Sequence, residues 1–147
     1  FQYANEKIIW EAQDKTIKGL SLKLEKAKDS LSGVSEAISD ANYFSLQGNE
    51  NALEYIERLG LEAADVEAII NNKIYDQNGV KGGNPIIPVA SVRGNFKINK
   101  IKLLNSRWIQ ADFSDGDNWG ELIIEYFFNQ DNTIELVPLS SFLYSLK

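Results

Sequence analysis

The sequence contains no cysteine, no histidine and no methionine. Without cysteine, the chain can form no disulfide and offers neither a thiolate ligand for zinc nor a cysteine nucleophile. Without histidine, it lacks the commonest general base and cannot build a Ser-His-Asp triad or a two-histidine metal site. Any catalysis would therefore depend on Asp, Glu, Lys, Tyr or Ser, and any bound metal would be a hard cation with oxygen ligands.

The missing methionine also bears on the N-terminus. Because translation starts at a methionine, a chain that begins at Phe1 and contains none is expected to have lost an N-terminal segment. Removal of a signal peptide is the favoured explanation, and trimming of the chain is the alternative. We therefore expect an exported protein, periplasmic or extracellular.

Positive charge is scarce, since 15 Lys and Arg residues against 21 Asp and Glu residues give a formal net charge of -6. Nucleic acids and anionic membrane surfaces both require a dense positive patch, so we expect neither as a partner. The chain also has no run of 18 apolar residues, and we expect no transmembrane segment. An acidic surface of this kind favours solubility or a basic protein partner.

With 147 residues, the chain has the usual length of one domain, and we predict a single domain over 1–147. Its first half, residues 1–75, carries apolar residues at helical spacing. The pattern predicts an amphipathic helix over about 6–28. A break is predicted at 29–33, where Ser and Gly cluster, and a second, shorter helix is expected to end near 43–44.

Two further helices complete the helical half. Asn49 is a suitable N-cap for a short helix, and Gly60 is a suitable stop for it. Residues 61–75 again have helical spacing and predict a fourth helix or a kinked continuation of the third. Residues 76–92 then contain Asn-Gly and Gly-Gly pairs and two prolines, which predicts a linker loop with a possible edge strand at 86–91.

Residues 93–147 change to a period of two and are rich in β-branched and aromatic residues, which is typical of β-strands. Short turns rich in Asn, Asp and Gly force neighbouring strands to run antiparallel. The apolar parity changes between Ile98 and Ile101, which predicts a bulge near Asn99 and Lys100. The predicted strands are 95–104, 107–114, 119–128 and 133–138.

The order of these elements predicts an α+β fold, in which N-terminal helices pack on a C-terminal antiparallel meander of four or five strands. Cystatin-like and NTF2-like folds have the same order of elements, and this analogy of fold carries no function. The tail after residue 138 contains many large apolar side chains. We therefore expect the tail to dock on the body of the protein or on a partner.

The second and third predicted strands carry candidate functional residues on either side of an acidic turn. Asp115, Asp117 and the side-chain amide of Asn118 could bring oxygen atoms together around Ca²⁺, which prefers oxygen ligands. The stretch departs from the EF-hand pattern, because Trp119 stands where an oxygen ligand is needed. We therefore favour a plain Asp-Gly hairpin turn and predict no metal site and no cofactor. The candidate binding residues are Trp108, Asp115, Asp117 and Trp119.

Asp112 and Glu121 form the second candidate site. We expect them to lie opposite one another on neighbouring strands, where they could act as the paired carboxylates of a glycoside hydrolase. Trp108 and Trp119, expected to lie near one another, would then serve as aromatic platforms for a sugar. The alternative is that both rings pack in the core or at its rim. We expect Trp119 to be the more exposed of the two, because it stands beside Gly120 and the polar turn.

Three C-terminal motifs resemble those of a family of short uncharacterised exported proteins of Gram-negative bacteria. They are SRWIQADFSDG at 106–116, WGE at 119–121 and SFLY at 141–144. The resemblance covers the last third of the chain most clearly. It supports export, and the hydrolase label that some members carry would imply an enzyme. No catalytic residue of the family carries over to this sequence.

We favour a non-enzymatic exported domain that binds another protein of the cell envelope. The reason is that the chain lacks the commonest general base and the most nucleophilic side chain. One alternative is a small hydrolase that acts through Asp112 and Glu121, with Asp115 or Asp117 in support. The other is an acidic inhibitor or immunity protein that covers the basic active site of a toxin.

Overall fold

The structure is a computed structural model that describes residues 2–92 and 94–144. The chain divides between Ala41 and Asn42 into two compact units. The first unit contains the helix α1 (Gln2–Ala41). The second contains the helices α2 (Glu50–Arg58) and α3 (Ala63–Asp76), a 3-10 turn (Gln77–Gly79) and the strands β1 (Lys97–Leu103), β2 (Trp108–Ser114), β3 (Trp119–Phe128) and β4 (Ile134–Leu143).

α1 is one continuous helix of 40 residues, so the predicted break at 29–33 is wrong. Ser and Gly residues in that stretch each cost less than about 1 kcal/mol in a helix interior, whereas ending one helix and starting another requires a new, unfavourable nucleus. Leu31 and Val34 also continue the apolar spacing across the stretch. Although α1 is long, no helix in the described part of the chain is apolar enough to cross a membrane.

α2 and α3 form as predicted and pack against the sheet. The side chain of Asn49 accepts a hydrogen bond from the backbone N–H of Ala52, which caps the start of α2. Gly60 follows the end of α2 with a φ of 77°, a conformation that glycine adopts without strain. The helical residues of the core are Ala52, Ile56, Val66, Ile70 and Ile74.

The sheet has four antiparallel strands in the order β1-β2-β3-β4, which confirms the predicted α+β class. The possible fifth strand at 86–91 is wrong, since residues 80–92 form turns and bends. Buried Asn84 organises this loop: its side-chain amide donates to the carbonyl of Ile74 and to the side-chain oxygen of Asn78. The loop therefore satisfies its polar groups without a strand ladder.

β4 is longer than predicted, because the strand continues through Pro138 to Leu143. Proline donates no backbone hydrogen bond, and an edge strand such as β4 tolerates one. The register of β3 and β4 shifts between Ile123 and Ile124, next to the partner position of Pro138. The tail that was expected to dock therefore forms the outermost strand of the sheet up to Leu143.

The predicted bulge in β1 is confirmed, since the pairing of β1 with β2 shifts between Ile98 and Lys100. One face of the sheet is buried beneath α2 and α3 and carries most of the apolar core. The sheet residues of this core are Ile98, Leu103, Ile109, Ala111, Phe113, Leu122, Ile124, Tyr126 and Ile134.

Candidate functional site

The face of the sheet opposite the core, which we call the outer face, contains most of the candidate residues. Along β2, Ile109, Ala111 and Phe113 are buried, so alternate residues such as Asp112 point to the outer face. Asp112 pairs directly with Glu121 of β3, as predicted. The short turn between β2 and β3 fixes this register and places both carboxylates side by side.

Each oxygen of the Asp112 carboxylate accepts a hydrogen bond. The backbone N–H of Lys100, next to the bulge in β1, donates to Oδ1 at 2.8 Å. The indole Nε1 of Trp119 donates to Oδ2 at 3.1 Å. The carboxylate therefore connects the bulge to the orientation of the indole ring.

Glu121 has a similar role towards a different aromatic side chain. The side-chain amide of Gln110 donates to Oε1 at 3.2 Å, and the hydroxyl of Tyr144 donates to Oε2. This hydrogen bond to the carboxylate raises the pKa of Tyr144, because it stabilises the protonated hydroxyl. Glu121 therefore holds the Tyr144 ring over the outer face.

Trp119, Phe142 and Tyr144 form an aromatic cluster on the outer face. The rings of Trp119 and Tyr144 are stacked, with centroids 4.5 Å apart and planes 14° from parallel. Phe142 packs with its edge against Tyr144 at 5.0 Å. The three side chains nevertheless remain 45%, 51% and 41% exposed in chain order. The cluster is thus a rigid aromatic surface open to solvent.

Sequence reasoning identified Trp119 but missed Phe142 and Tyr144. Beyond Pro138, alternate residues again share one face, and Phe142 pairs with Glu121 of β3. The period of two through Ser140, Phe142 and Tyr144 was therefore a usable signal. This signal was missed because the predicted strand ended at Pro138.

Trp108 does not belong to the aromatic cluster. It pairs with Glu125, whereas Trp119 pairs with Ser114, at the other end of β2. Six residues along a strand correspond to about 20 Å, so the expectation that the two tryptophans lie near one another is wrong. The expected contrast in exposure is also wrong, because Trp108 is 47% and Trp119 is 45% exposed. Both residues occupy outer-face positions, which accounts for their equal exposure.

Asp115 lies in the turn between β2 and β3, where it organises the local backbone. Its Oδ1 accepts from the backbone N–H groups of Asp117 and Asn118, and its Oδ2 accepts from the Ser91 hydroxyl at 2.7 Å. These hydrogen bonds, with that of Ser91 the strongest contribution, hold the pKa of Asp115 well below its usual range. In residues 2–92 and 94–144, no group of three His, Cys, Asp or Glu side chains is arranged to hold a metal ion.

Two small hollows adjoin the carboxylate pair on the outer face. The first, of about 220 Å³, lies beside Lys100, Lys102 and Asp112. The second, of about 180 Å³, lies beside Ile123, Ser140 and Phe142. Gln110 and Glu121 line both. Both are open hollows whose volumes fall below the usual range for small-molecule pockets, which suits side chains of a partner better than an enclosed substrate.

A larger hollow of about 520 Å³ lies elsewhere in the second unit, beside β1 and α3. Its polar lining includes Asn42, Ser45, Glu67 and Asn71. Glu67 is the one carboxylate in this lining, so the hollow contains no carboxylate pair for acid-base chemistry. The candidate residues therefore remain those of the outer face.

Searches against known proteins match this chain to no family model, no curated protein and no solved structure. The resemblance of the C-terminal motifs to short exported proteins therefore stays a prediction. Function has to be argued from the outer face itself.

Proposed function

We propose that the chain is a non-enzymatic domain that binds another protein through the aromatic cluster and the carboxylates beside it. The observation that carries this proposal is the exposed Trp119–Tyr144 stack, which two carboxylates hold in place by hydrogen bonds. Aromatic side chains that are fixed before binding lose little conformational entropy when a partner arrives. Such rigid, partly exposed tryptophan and tyrosine side chains are typical anchors of protein interfaces.

Charge on the outer face indicates the chemistry of the partner. Asp112 and Glu121 lie beneath the aromatic cluster. Glu125, farther along β3, is already paired with Arg107 at 3.1 Å, so the carboxylates available to a partner are the first two. A partner segment that combines apolar side chains with Lys or Arg would match this surface. Arg in particular can stack on an indole ring and pair with a carboxylate at the same time. The net charge of -6 would also speed the approach of such a segment.

The edges of the sheet are less suitable for binding than its face. On β1, the side chain of Asn78 bonds both the N–H and the carbonyl of Ile98, and the Tyr75 hydroxyl accepts from the N–H of Ile101. On β4, Pro138 and the neighbouring register shift interrupt the ladder that an added strand would need. We therefore place the partner on the outer face.

A matched pair of tryptophan variants tests this proposal. Trp119→Ala removes the stack, whereas Trp108→Ala removes an equally exposed indole about 20 Å away on the same face. The probe is a peptide array in which Arg alternates with Leu or Tyr, together with a matched array in which Glu replaces Arg. We expect the Arg peptides to bind the wild type and the Trp108 variant, and to bind the Trp119 variant at least tenfold more weakly.

Equal binding by the two variants, or equal binding of the Arg and Glu arrays, would contradict the proposal. Unfolding in denaturant is measured for both variants, so that a loss of binding can be separated from a loss of folded protein. An acidic inhibitor or immunity protein would be a special case of this function, in which the basic segment belongs to a toxin. Export also remains a prediction, which fractionation of the native cells tests.

A carboxylate-dependent hydrolase is the second candidate, because Asp112 and Glu121 are directly opposite one another. Against it, all four oxygens of the pair already accept hydrogen bonds from neighbouring groups. Turnover of chromogenic glycosides that disappears in both Asp112→Asn and Glu121→Gln would favour this candidate over the binding domain. Undetectable turnover by the wild type would remove it.

A further inference from the structure

The continuity of α1 reveals a repeat that spans the predicted break. Apolar residues alternate at spacings of three and four, which is the heptad pattern of a coiled coil with apolar a and d positions. The a positions are Ile17, Leu24, Leu31 and Ile38, and the d positions are Leu20, Ala27, Val34 and Ala41. Trp10 occupies the a position one heptad before Ile17.

This apolar stripe, which we call the α1 seam, is exposed to solvent along its length. The six Ile, Leu and Val side chains of the seam are between 55% and 70% exposed, and Trp10 is 66% exposed. Leaving such a row of side chains in water is unfavourable, and a strict heptad repeat fits a second helix. A surface of this kind therefore requires an occupant.

We propose that α1 pairs with α1 of a second copy of this chain as an antiparallel two-stranded coiled coil. In this arrangement Trp10 lies opposite the partner's Ala41, and the two-fold axis passes between Glu25 and Lys26. The helices then overlap from residue 10 to residue 41, which uses all four apolar heptads and places Gln13, at the d position before Ile17, opposite the partner's Ile38.

Side-chain size favours the antiparallel orientation. An antiparallel pair brings each a residue opposite a d residue, and the a residues of the α1 seam are generally larger than its d residues. Large side chains then meet the alanines at both ends and at the centre of the seam: Trp10 meets the partner's Ala41, and Leu24 meets the partner's Ala27. A parallel pair would place Trp10 on Trp10 and Ala27 on Ala27, which requires the helix separation to change along the seam.

Charge beside the seam favours the same orientation. Lys23 and Lys28 occupy g and e positions. In a parallel pair, the g residue approaches the e residue of the next heptad, so Lys23 would approach the partner's Lys28 at two symmetric places. In the proposed register, Lys23 approaches the partner's Ser30 and Lys28 approaches the partner's Ser21, so the like-charge contacts disappear.

The area involved is sufficient for a stable dimer. Two copies that cover their α1 seams would remove on the order of 1,500 Å² from water, within the range of stable protein interfaces. The flanking residues Ser21, Ser30, Ser35 and Ala37 are small, which permits close approach of the two helices. The second copy therefore accounts for the whole exposed stripe.

Sedimentation of the full chain over a range of concentrations tests the dimer, with a matched pair of variants. Leu31→Glu places a carboxylate in the seam, whereas Leu22→Glu alters an equally apolar, 60% exposed residue on the opposite side of the same helix. We expect the wild type and the Leu22 variant to be dimers. Leu31→Glu should weaken dimerisation by more than about 100-fold, because each dimer would bury two unpaired charges. A monomeric wild type, or equal effects of the two variants, would overturn the proposal.

Because the chain has no cysteine, disulfide trapping reports the orientation and does not depend on the Glu variants. Ile17→Cys and Val34→Cys chains are mixed and oxidised, and the products are identified by mass. The antiparallel register predicts disulfides between position 17 of one copy and position 34 of the other. Products that link 17 to 17 and 34 to 34 would overturn the proposed orientation.

Discussion

Replacing Tyr126 by Phe should test how much one hydrogen bond from β3 stabilises the turn between β1 and β2. Tyr126 is 1% exposed, and its hydroxyl donates a hydrogen bond of 2.6 Å to the carbonyl of Asn105, in the turn between β1 and β2. Asn105 in turn accepts from the backbone N–H groups of Arg107 and Trp108. Tyr126→Phe removes one oxygen atom and leaves a part-buried carbonyl without this donor.

We expect Tyr126→Phe to lower the free energy of unfolding by about 1 to 2 kcal/mol, the usual cost of losing such a hydrogen bond. For a unit of roughly 100 residues, this corresponds to a fall in melting temperature of about 5 to 10 °C. The matched control is Tyr55→Phe, because Tyr55 is 48% exposed and also lies near Phe128. Denaturant unfolding of both variants provides the comparison.

The effects of these two substitutions on the free energy of unfolding should differ in how they depend on pH. Burial, with smaller contributions from Glu67 and Tyr55, raises the pKa of Tyr126 well above its ordinary value of 10.0. The unfolded chain therefore ionises first, so this stabilisation is complete below pH 10.0 and is lost as the pH rises above it. The advantage of the wild type over Tyr126→Phe should stay constant up to about pH 10.0 and shrink as the pH rises from there towards the raised pKa of the folded state. A difference that stays constant with pH, or a Tyr55→Phe variant equally destabilised, would refute the reasoning.

Three further predictions concern single residues. Gly120→Ala should lower the free energy of unfolding by about 2 kcal/mol or more, measured by denaturant, because its Cβ would lie 2.3 Å from the carbonyl oxygen of Phe142. Gly33→Ala should stabilise α1 by about 0.5 to 1 kcal/mol in thermal melts, since nothing lies within 4 Å of the added methyl group. Asp115→Asn should be less stable than the wild type at neutral pH. The difference should disappear in acid titrations as the pH falls below 3.8, because the pKa of Asp115 is lowered by its bond to Ser91.

Local patterns in the sequence were sufficient to predict the sheet. The acidic turn at 115–118 and the alternation on either side of it determine the register of β2 and β3, and thus the pairing of Asp112 with Glu121. The parity change in β1 likewise located the bulge before Lys100. Each of these features depends on neighbouring residues, which is why sequence reasoning reached them.

The features that sequence reasoning missed depend on interactions beyond the local pattern. Pro138 stops a central strand, but it is tolerated where the strand lies at the edge, and edge position depends on the whole sheet. A glycine such as Gly33 readily ends a helix that stands alone. It is less able to interrupt a helix in which the apolar seam continues on both sides of it. Both incorrect predictions made an element too short. The shortened β4 left out Phe142 and Tyr144, and the predicted break in the helix divided the α1 seam.

The two proposals concern different surfaces, and together they have a consequence for affinity. In the proposed antiparallel dimer, the two Ala41 ends lie about 50 Å apart, since 32 residues of helix separate them at 1.5 Å each. Each Ala41 leads directly into a second unit that carries its own aromatic cluster. One dimer would therefore present two clusters, and a partner displayed in many copies on a surface would be bound through both. Leu31→Glu would then weaken binding to such a surface without changing binding to a single soluble peptide, whereas Trp119→Ala would weaken both.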